Sequence, residues 1–385
     1  MNITKLLFRN TFRHKLRNSL TILGITIAIL SFGLLRTVVG AWYAGVDASS
    51  ATRLVTRNSI SLIFPLPLSY REKIRQISGV EHVSFAYWFG GIYISEKNFI
   101  PNFAADAKTI VNMFPEFIIS EKEKRDFIRN RKSCVAGRKI ADKFGWKIGD
   151  TITLRGTIFP GNWDFVLLGI YHGAQQGTDE TQFIFHWDYL NESLKKTAPL
   201  RADRVGWYTV SVSKPEIASE VAAAIDKTFK NSIAETITET EKAFQLGFIA
   251  MTEAIVIAIQ IVSFVVIIII MIVMANTMAM TARERMGEYS VLKTLGFGGW
   301  HIAGIIFGES LFISFLGCAL GIVLTFPAAA AFGHAMSTFL PVFNVETETI
   351  YMDIVVAFAV GIVAAVFPTY RAIRIKIADG LRRIG

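Results

Sequence analysis

Four long apolar segments constrain the fold of this 385-residue chain more than any other feature of its sequence. They occupy residues 18–43, 248–280, 300–334 and 351–370. A helix needs roughly 20 residues to cross the hydrocarbon core of a bilayer, and each segment is long enough. The composition agrees, because 52% of the residues are hydrophobic, 18% are charged and the mean hydropathy is +0.42. The sequence therefore predicts a membrane protein with four transmembrane helices.

The stretch 44–247, between the first and second apolar segments, is mixed in polarity and long enough to fold as a domain. Alternating patterns predict strands, and spacings of three and four predict helices. The predicted strands are 58–64, 82–95, 150–157, 162–173 and 205–212, and the predicted helices are 68–78, 137–145 and 214–231. The predicted fold class is an α-helical membrane protein with four transmembrane helices in a 1+3 arrangement, in which one helix precedes and three follow a soluble domain. This extracytoplasmic mixed α/β domain is inserted between transmembrane helices 1 and 2.

The end of this domain, Ser232 to Met251, has a polar helical pattern that merges into the second apolar segment. A continuous helix here would form a stalk above the membrane, and a loop is the alternative.

Basic residues are concentrated at the two ends of the chain and give it most of its net charge of +9. Residues 1–17, a predicted basic amphipathic helix, and 371–385, a predicted basic tail, contain the predicted cytoplasmic anchors Arg13, Arg17, Arg371, Arg374 and Arg382. The loop 335–350 has no Lys or Arg, and the positive-inside bias therefore places it outside. We therefore expect a multi-pass protein of the cell inner (cytoplasmic) membrane with both termini in the cytoplasm. Binding of nucleic acid is not needed to explain the positive net charge.

The N-terminus also has features of a secretory signal, since basic residues precede an apolar run and "DASSA" at 47–51 resembles a cleavage site. The apolar run continues to Tyr43, which is longer than the core of a typical signal, and this favours an anchored helix. Cys134 and Cys318 fall on different sides of this topology, so no disulfide framework is expected.

No motif for nucleotide hydrolysis or other catalysis occurs in the sequence. It has no G-x-x-x-x-G-K-[ST], H-E-x-x-H, C-x-x-C or G-x-S-x-G pattern. His172, His186 and Asp188 match no standard metal spacing, and unliganded histidines are much commoner. We therefore expect neither catalytic residues nor a metal site. The charged run 122–132 is interpreted as a solvated helix face.

Glu309 is an ionisable residue inside the third apolar segment, where an unpaired charge is costly. Gly308, Gly317 and Gly321 on the same segment allow close helix–helix approach. We expect Glu309 to be a protonated or hydrogen-bonded interhelical group with no other ionisable residue at its depth. A conformational pivot or substrate contact is the alternative.

The polar stretch 281–299 lies between the second and third apolar segments and is predicted to be cytoplasmic. On a helix, Glu284, Glu288, Val291, Leu292 and Leu295 share one side. Gly296 and the glycines that follow are expected to end this helix. A solvated hairpin connection is the alternative interpretation.

Three segments together resemble the FtsX/MacB-like superfamily of ABC-transporter permeases. The chain's "LRNSLTILGI" resembles the family's "R-x-x-L-T-x-L-G-I" opening of the first span, and "RMGEYSVLKTLG" resembles "R-x-x-E-I-G-I-L-R-A-L-G". "PTYRAIRIKIADGLR" resembles the closing "P-A-x-R-A-x-R-x-x-P-x-x-A-L-R", although Ile377 replaces its second proline. The pattern "CVAGRKIADKFGWKIGDTITLRG" is also similar to the family's external domain.

The resemblance implies a permease that pairs with a separate cytoplasmic ATP-binding subunit and with a second permease copy, identical or related. It assigns ATPase coupling to Arg285, Glu288, Val291, Leu292, Lys293, Leu295 and Gly296. No cofactor is expected in this chain, because ATP and Mg²⁺ would be bound by the partner. A periplasmic adaptor is a further possible partner.

Two functions fit this resemblance. A MacB/LolCDE-like permease would couple ATP hydrolysis to movement of its external domain and export or extract a lipid, lipoprotein, peptide or hydrophobic toxin. An FtsX-like transmitter would regulate an external partner without transport. The length of 44–247 favours the transporter. A membrane-anchored sensor or enzyme lacks any supporting motif.

Overall fold

The computed structural model describes residues 15–98, 100–175, 177–336, 340 and 342–374. They separate into two compact units. The helical unit contains residues 15–41, 253–334 and 343–374, and the α/β unit consists mainly of residues 42–252. The predicted anchors Arg13 and Arg382, most of the predicted N-terminal helix and most of the predicted tail lie outside the described residues.

The twelve α-helices of the described chain vary from single turns to long spans. They are α1 (Lys15–Asp47), α2 (Tyr70–Arg75), α3 (Ile110–Met113), α4 (Glu121–Arg129), α5 (Arg138–Phe144), α6 (Trp187–Thr197), α7 (Ala218–Thr228), α8 (Glu241–Met251), α9 (Glu253–Glu284), α10 (Met286–Thr294), α11 (Gly299–Met336) and α12 (Thr347–Ile373). Two 3₁₀ turns add Pro199–Arg201 and Pro215–Ile217.

Four of these helices, α1, α9, α11 and α12, are long and apolar enough to cross a membrane. This confirms the predicted 1+3 arrangement, with the α/β unit between the first and second spans. Helix α9 begins at Glu253 rather than at residue 248, because the helical backbone is interrupted at Thr252 (φ −115°, ψ 9°).

Small residues bring α1 and α11 into close contact in the helical unit. A Cβ atom at Gly317 would lie 2.6 Å from Ile25 Cγ2, and one at Gly321 would lie 2.7 Å from Ile29 Cβ. Thr26 Oγ1 donates to Gly317 O at 3.3 Å, so a side-chain hydrogen bond also joins the two helices. Close approach through glycines and hydroxyl hydrogen bonds is the usual way in which helices associate in lipid. Gly308 is half-buried on α11.

The α/β unit is built on one eleven-stranded mixed sheet with the order β13-β1-β12-β3-β5-β10-β7-β9-β8-β4, and β6 pairs with β9. Its strands and the separate β2–β11 pair are β1 (Arg53–Asn58), β2 (Leu66–Pro67), β3 (Val80–Trp88), β4 (Gly91–Ile92), β5 (Asn102–Ala105), β6 (Phe117–Ile118), β7 (Ser133–Gly137), β8 (Thr151–Gly156), β9 (Gly161–Gly173), β10 (Phe183–His186), β11 (Arg204–Val205), β12 (Trp207–Val212) and β13 (Thr236–Thr240). The pairs β5–β10 and β7–β9 are parallel.

Both faces of the main sheet are covered. Successive side chains on a strand point to opposite faces, and Phe85 and Ala104 pack in one buried cluster while Ala86 and Ala105 pack in another. The larger cluster is rich in aromatic rings, and Phe89 contacts the rings of Phe159, Trp163, Phe165 and Phe185.

Two predictions for the α/β unit are wrong. The predicted strand 58–64 is mostly turn, since β1 ends at Asn58 and the apolar side chains of Ile60, Ile63 and Phe64 are exposed. The predicted helical stalk begins as a strand, because residues 236–240 pair antiparallel with β1, and Asp226 accepts hydrogen bonds from Thr236 and Thr238. Only its second part is the helix α8.

Candidate coupling site

The segment between the second and third spans forms a short helix with a defined start and end. Arg285 leaves helical geometry (φ −97°, ψ 10°), so α9 stops before it and α10 starts after it. At the other end Gly296 has φ +87°, Gly296 N donates to Lys293 O at 3.1 Å and Phe297 N donates to Leu292 O at 3.0 Å. These two bonds form a Schellman motif, which needs a residue with positive φ. Gly296 therefore ends the helix, as predicted.

Arg285 is the centre of a buried ionic cluster. Its Nη1 donates to Glu309 Oε2 at 2.8 Å, and its Nε donates to Glu288 Oε2 at 3.0 Å. Its guanidinium also lies 5.4 Å from the centroid of the Tyr289 ring. Arg285 and Glu309 are only 8% and 3% exposed. The expectation that Glu309 has no ionisable neighbour is therefore wrong, because Arg285 extends from the α9–α10 junction to neutralise it.

The ionisation states in this cluster follow from burial and from the neighbouring charges. Burial on its own lowers the pKa of Arg285, but Tyr289, Glu309 and Glu288 together outweigh it and raise that pKa. Burial also raises the pKa of Tyr289 to about 12, so its phenol stays protonated at neutral pH. The cluster therefore keeps a permanent guanidinium charge between two carboxyl groups.

Two further contacts hold the segment against the ends of the other helices. Lys293 Nζ donates to Ile373 O at 2.6 Å, at the last residue of α12. Arg17 Nη1, in the first turn of α1, donates to Glu284 Oε2 at 2.7 Å. Tyr289 packs with residues of α9, α11 and α12 in a small apolar cluster. Four helix ends of the helical unit thus meet around α10.

The opposite side of α10 is not covered by other parts of the described chain. Glu288, Val291 and Leu295 lie along this side at intervals of three and four residues, and the exposed Glu284 at the end of α9 precedes them; we call these four residues the outer stripe. Val291 is 41% and Leu295 is 69% exposed. Phe297 and Trp300 extend this apolar surface past the turn. An exposed stripe with both carboxylates and large apolar side chains is suited to binding a protein partner.

The seven predicted coupling residues therefore divide into two groups. Glu288, Val291, Leu295 and Gly296 are exposed, whereas Leu292 and Lys293 are half-buried and Arg285 is buried. Spacing on a regular helix places Leu292 with the exposed group, but the structure turns it towards the apolar cluster around Tyr289. Arg285 lies at the start of α10 and does not line the outer stripe.

The described anchors at the end of α12 pair with aromatic rings. The guanidinium of Arg371 lies 4.4 Å from the centroid of Phe367, and that of Arg374 lies 4.3 Å from the centroid of Tyr370. All four side chains are exposed. Aromatic and basic residues in this arrangement are typical of a membrane–water interface.

Sequence reasoning missed one ionisable residue of the helical unit. Asp353 on α12 is 1% exposed, and its Oδ1 has no hydrogen-bond partner among the described residues. Its Oδ2 lies beside Gly33 of α1, where an added Cβ would be 3.2 Å away. A carboxylate within the predicted segment 351–370 was a sufficient signal.

His186 and His172 both have partners other than a metal ion. His186 is buried and its Nε2 donates to Phe127 O at 2.6 Å, and burial lowers the pKa of this histidine. His172 lies on the surface beside Arg138. Among the described residues no group of three or more potential ligands is placed to hold a metal ion.

Known protein families and a known protein are similar in sequence to both units of the chain. A family model for the MacB-like periplasmic core domain matches residues 19–228, more than half of the chain, and a model for the FtsX-like permease C-terminal region matches residues 260–377. A protein of Methanocaldococcus jannaschii described as an uncharacterized ABC transporter permease is 24% identical over 399 residues, which cover 97% of this chain and 96% of that protein.

Solved structures of related domains are also similar to part of the chain. The periplasmic region of MacB from Actinobacillus actinomycetemcomitans has a TM-score of 0.39 at 9% identity, covering 53% of this chain and 95% of that one. The extracellular domain of the noncanonic ABC-type transporter YknZ from Gram-positive bacteria has a TM-score of 0.36 at 9% identity, covering 49% and 100%. Family membership rests on the two family models, and on that basis the chain belongs to the MacB/FtsX-like family of ABC transporter permeases.

Proposed function

We propose that this permease couples ATP hydrolysis by a separate cytoplasmic ABC ATPase to movement of its α/β unit, and so exports or extracts a hydrophobic substrate. In this proposal α10 is the coupling helix, the outer stripe contacts the ATPase, and both termini are cytoplasmic. The inner membrane is the expected location. A second permease copy completes the transporter, and ATP and Mg²⁺ are bound by the ATPase.

The observation that carries the proposal is the two-sided construction of α10. Its inner side is fixed to α11 through the Arg285–Glu309 pair and to the end of α12 through Lys293, and the end of α9 directly before it is joined to the first turn of α1 through Glu284 and Arg17. Its outer stripe leaves Val291 and Leu295 exposed next to two carboxylates. A force applied to the stripe would therefore act on several spans at once, because these contacts join the helix to them.

The experiment measures ATPase activity of the full complex in lipid nanodiscs. Leu295→Asp places a charge in the apolar part of the stripe, and Glu288→Lys reverses a charge at its edge. Loss of a central interface side chain costs about 2 kcal/mol or more at a hot spot. We therefore expect a roughly 30-fold weaker association of Leu295→Asp with the ATPase, and loss of the permease-dependent stimulation in both variants.

Arg283→Glu is the matched control, because Arg283 is exposed in the same segment but points about 100° away from the outer stripe. It should retain stimulation. Normal stimulation in both stripe variants, with all proteins inserted in the membrane, would contradict the assignment of α10. Normal coupling without transport of any hydrophobic substrate would instead favour a transmitter that regulates an external partner.

A further inference from the structure

A two-lobed cleft in the α/β unit lies on one face of the main sheet. The larger cavity has a volume of ≈ 410 Å³ and the smaller one ≈ 190 Å³. They adjoin, because Phe114, Phe117, Gln182, Glu241 and Gln245 line both. Small-molecule sites typically have volumes of about 300–1,000 Å³, and the larger cavity alone falls within this range.

The smaller lobe is an apolar slot with a floor of small side chains. Ala86 of β3 and Ala105 of β5 are paired directly across the sheet, and both line the lobe. Phe103 and Trp207 stand beside them in an edge-to-face pair, with centroids 5.7 Å apart. Two alanines between large aromatic rings leave a recess at the centre of the sheet. The slot can therefore accept an apolar or aromatic body.

The larger lobe contains one guanidinium whose donors are all used. Arg53 Nε donates to Glu241 Oε2 at 2.9 Å and Nη1 to Glu116 Oε2 at 2.9 Å and Met113 O at 3.1 Å. Nη2 donates to Glu116 Oε1 at 2.5 Å and Glu241 Oε1 at 3.3 Å. A guanidinium has five N–H groups, and these five bonds occupy them. Arg53 has no donor left for an anionic ligand.

The charge of this lobe is negative. Glu116 and Glu241 share the single positive charge of Arg53, and Asp179 also lines the cavity. Arg53 is the one cationic side chain among the described residues that line it. A carboxylate has about four lone-pair sites, so both glutamates can accept more bonds. Charge complementarity therefore favours a cation.

We propose that this cleft binds an amphipathic cation. Its amine or quaternary ammonium head would lie at Glu116 and Glu241, and its apolar body would lie over Ala86 and Ala105. Phe244 and Gln245 of α8 line the apolar lobe, so the bound molecule would also contact the helix that ends the α/β unit. Identification of this ligand as the transported cargo rests on the proposed function, whereas the binding itself does not.

The test uses the full chain in nanodiscs of zwitterionic lipid without any ATPase. Two probes with the same apolar body are compared by titration calorimetry, with empty nanodiscs as the blank: phenylbutyltrimethylammonium and phenylbutanesulfonate. We expect the cation to bind at least about tenfold more tightly, as one net charge at close range predicts. Equal affinities, or tighter binding of the sulfonate, would overturn the proposal.

Variants then locate the site. Glu116→Gln keeps an acceptor for Arg53 but removes a charge, and it should weaken binding of the cation about tenfold without weakening binding of the sulfonate. Ala86→Leu should fill the slot and reduce binding of both probes. Glu239→Gln is the control, since Glu239 pairs with Arg57 outside the cleft. If Glu239→Gln weakened binding of the cation as much as Glu116→Gln does, the cation would not be bound at Glu116, and the proposed site would be wrong. Because no ATPase is present, these results are independent of whether α10 couples to one.

Discussion

The helical unit and the α/β unit bury different kinds of side chains. The interior of the α/β unit is dominated by large rings, including Phe89, Phe159 and Phe165, all at most 1% exposed. The helical unit combines aliphatic side chains such as Ile25 with hydroxyl and small residues in its interior, and it exposes large apolar side chains such as Phe264. The interior hydroxyl residues include Thr26, Ser263, Ser310, Ser314 and Thr325.

The difference reflects the solvent that each unit meets. In water, burial of apolar area drives folding, so large side chains are found inside. In lipid, apolar side chains gain little by burial, and close backbone contact and polar bonds hold the helices together. Ser310 Oγ, for example, donates to Gly361 O at 2.6 Å between α11 and α12. Polar pairs should therefore contribute most to the stability of the helical unit, and packing of aromatic rings should contribute most to the stability of the α/β unit.

The largest expected effect tests the buried ion pair of the helical unit. Arg285→Met leaves Glu309 without its cation, and removal of one partner of a buried pair typically costs about 3–5 kcal/mol. Unfolding in mixed micelles, followed by circular dichroism, measures the loss. The double variant Arg285→Met/Glu309→Leu should recover most of it, because no buried charge is left without its partner; Glu288, the other partner of Arg285, is exposed to solvent. If Arg285→Met were as stable as the native chain, buried polar pairs would not be important for the stability of the helical unit.

A ring in the α/β unit gives the next largest effect. Phe89→Leu keeps an apolar side chain but loses ring contacts worth about 0.5–1.5 kcal/mol each, so we expect a loss of about 2 kcal/mol. The same substitution at Phe264, which is 64% exposed on α9, should change the free energy of unfolding by less than about 0.5 kcal/mol. Thermal unfolding of the two variants compares them directly. Equal losses would show that both units depend on ring burial.

Glycine contacts are expected to have a smaller effect. Gly321→Ala places a Cβ 2.7 Å from that of Ile29, and overpacking of this kind costs about 1–3 kcal/mol. Gly304→Ala on the same helix is the matched control, because no atom lies within 4 Å of its added Cβ. That variant should be neutral or slightly more stable, since alanine is the better helix former. Similar unfolding curves for both variants would contradict close α1–α11 packing.

The smallest expected effect concerns a helix cap of the α/β unit. Ser120 Oγ accepts from Glu123 N at 3.3 Å, and Glu123 Oε2 accepts from Ser120 N, so the two residues form a capping box at the start of α4. Ser120→Ala should cost about 1 kcal/mol. Ser120→Asp should restore most of the loss, because aspartate is also a strong N-cap. Loss of stability in both variants would point to a role other than capping.

Local features of the sequence were sufficient to predict the four membrane spans and the residue at which α10 ends. A run of about 20 apolar residues is a span wherever it occurs, because its length must match the bilayer. Gly296 was identifiable as a helix terminator for a similar reason, since glycine accepts positive φ with little strain. The amphipathic stripe of α10 was visible in the spacing, although the half-buried position of Leu292 was not.

Tertiary structure decided which distant residues meet. Arg285 and Glu309 form a pair across 24 positions, and no spacing rule predicts that contact. The stretch 236–240 became a strand because β1 was available to pair with it, although its sequence also permits a helix. The cleft likewise depends on the register that sets Ala86 opposite Ala105. Chain length and glycine geometry act within one segment, whereas pairing, burial and charge neutralisation depend on which segments the fold brings together.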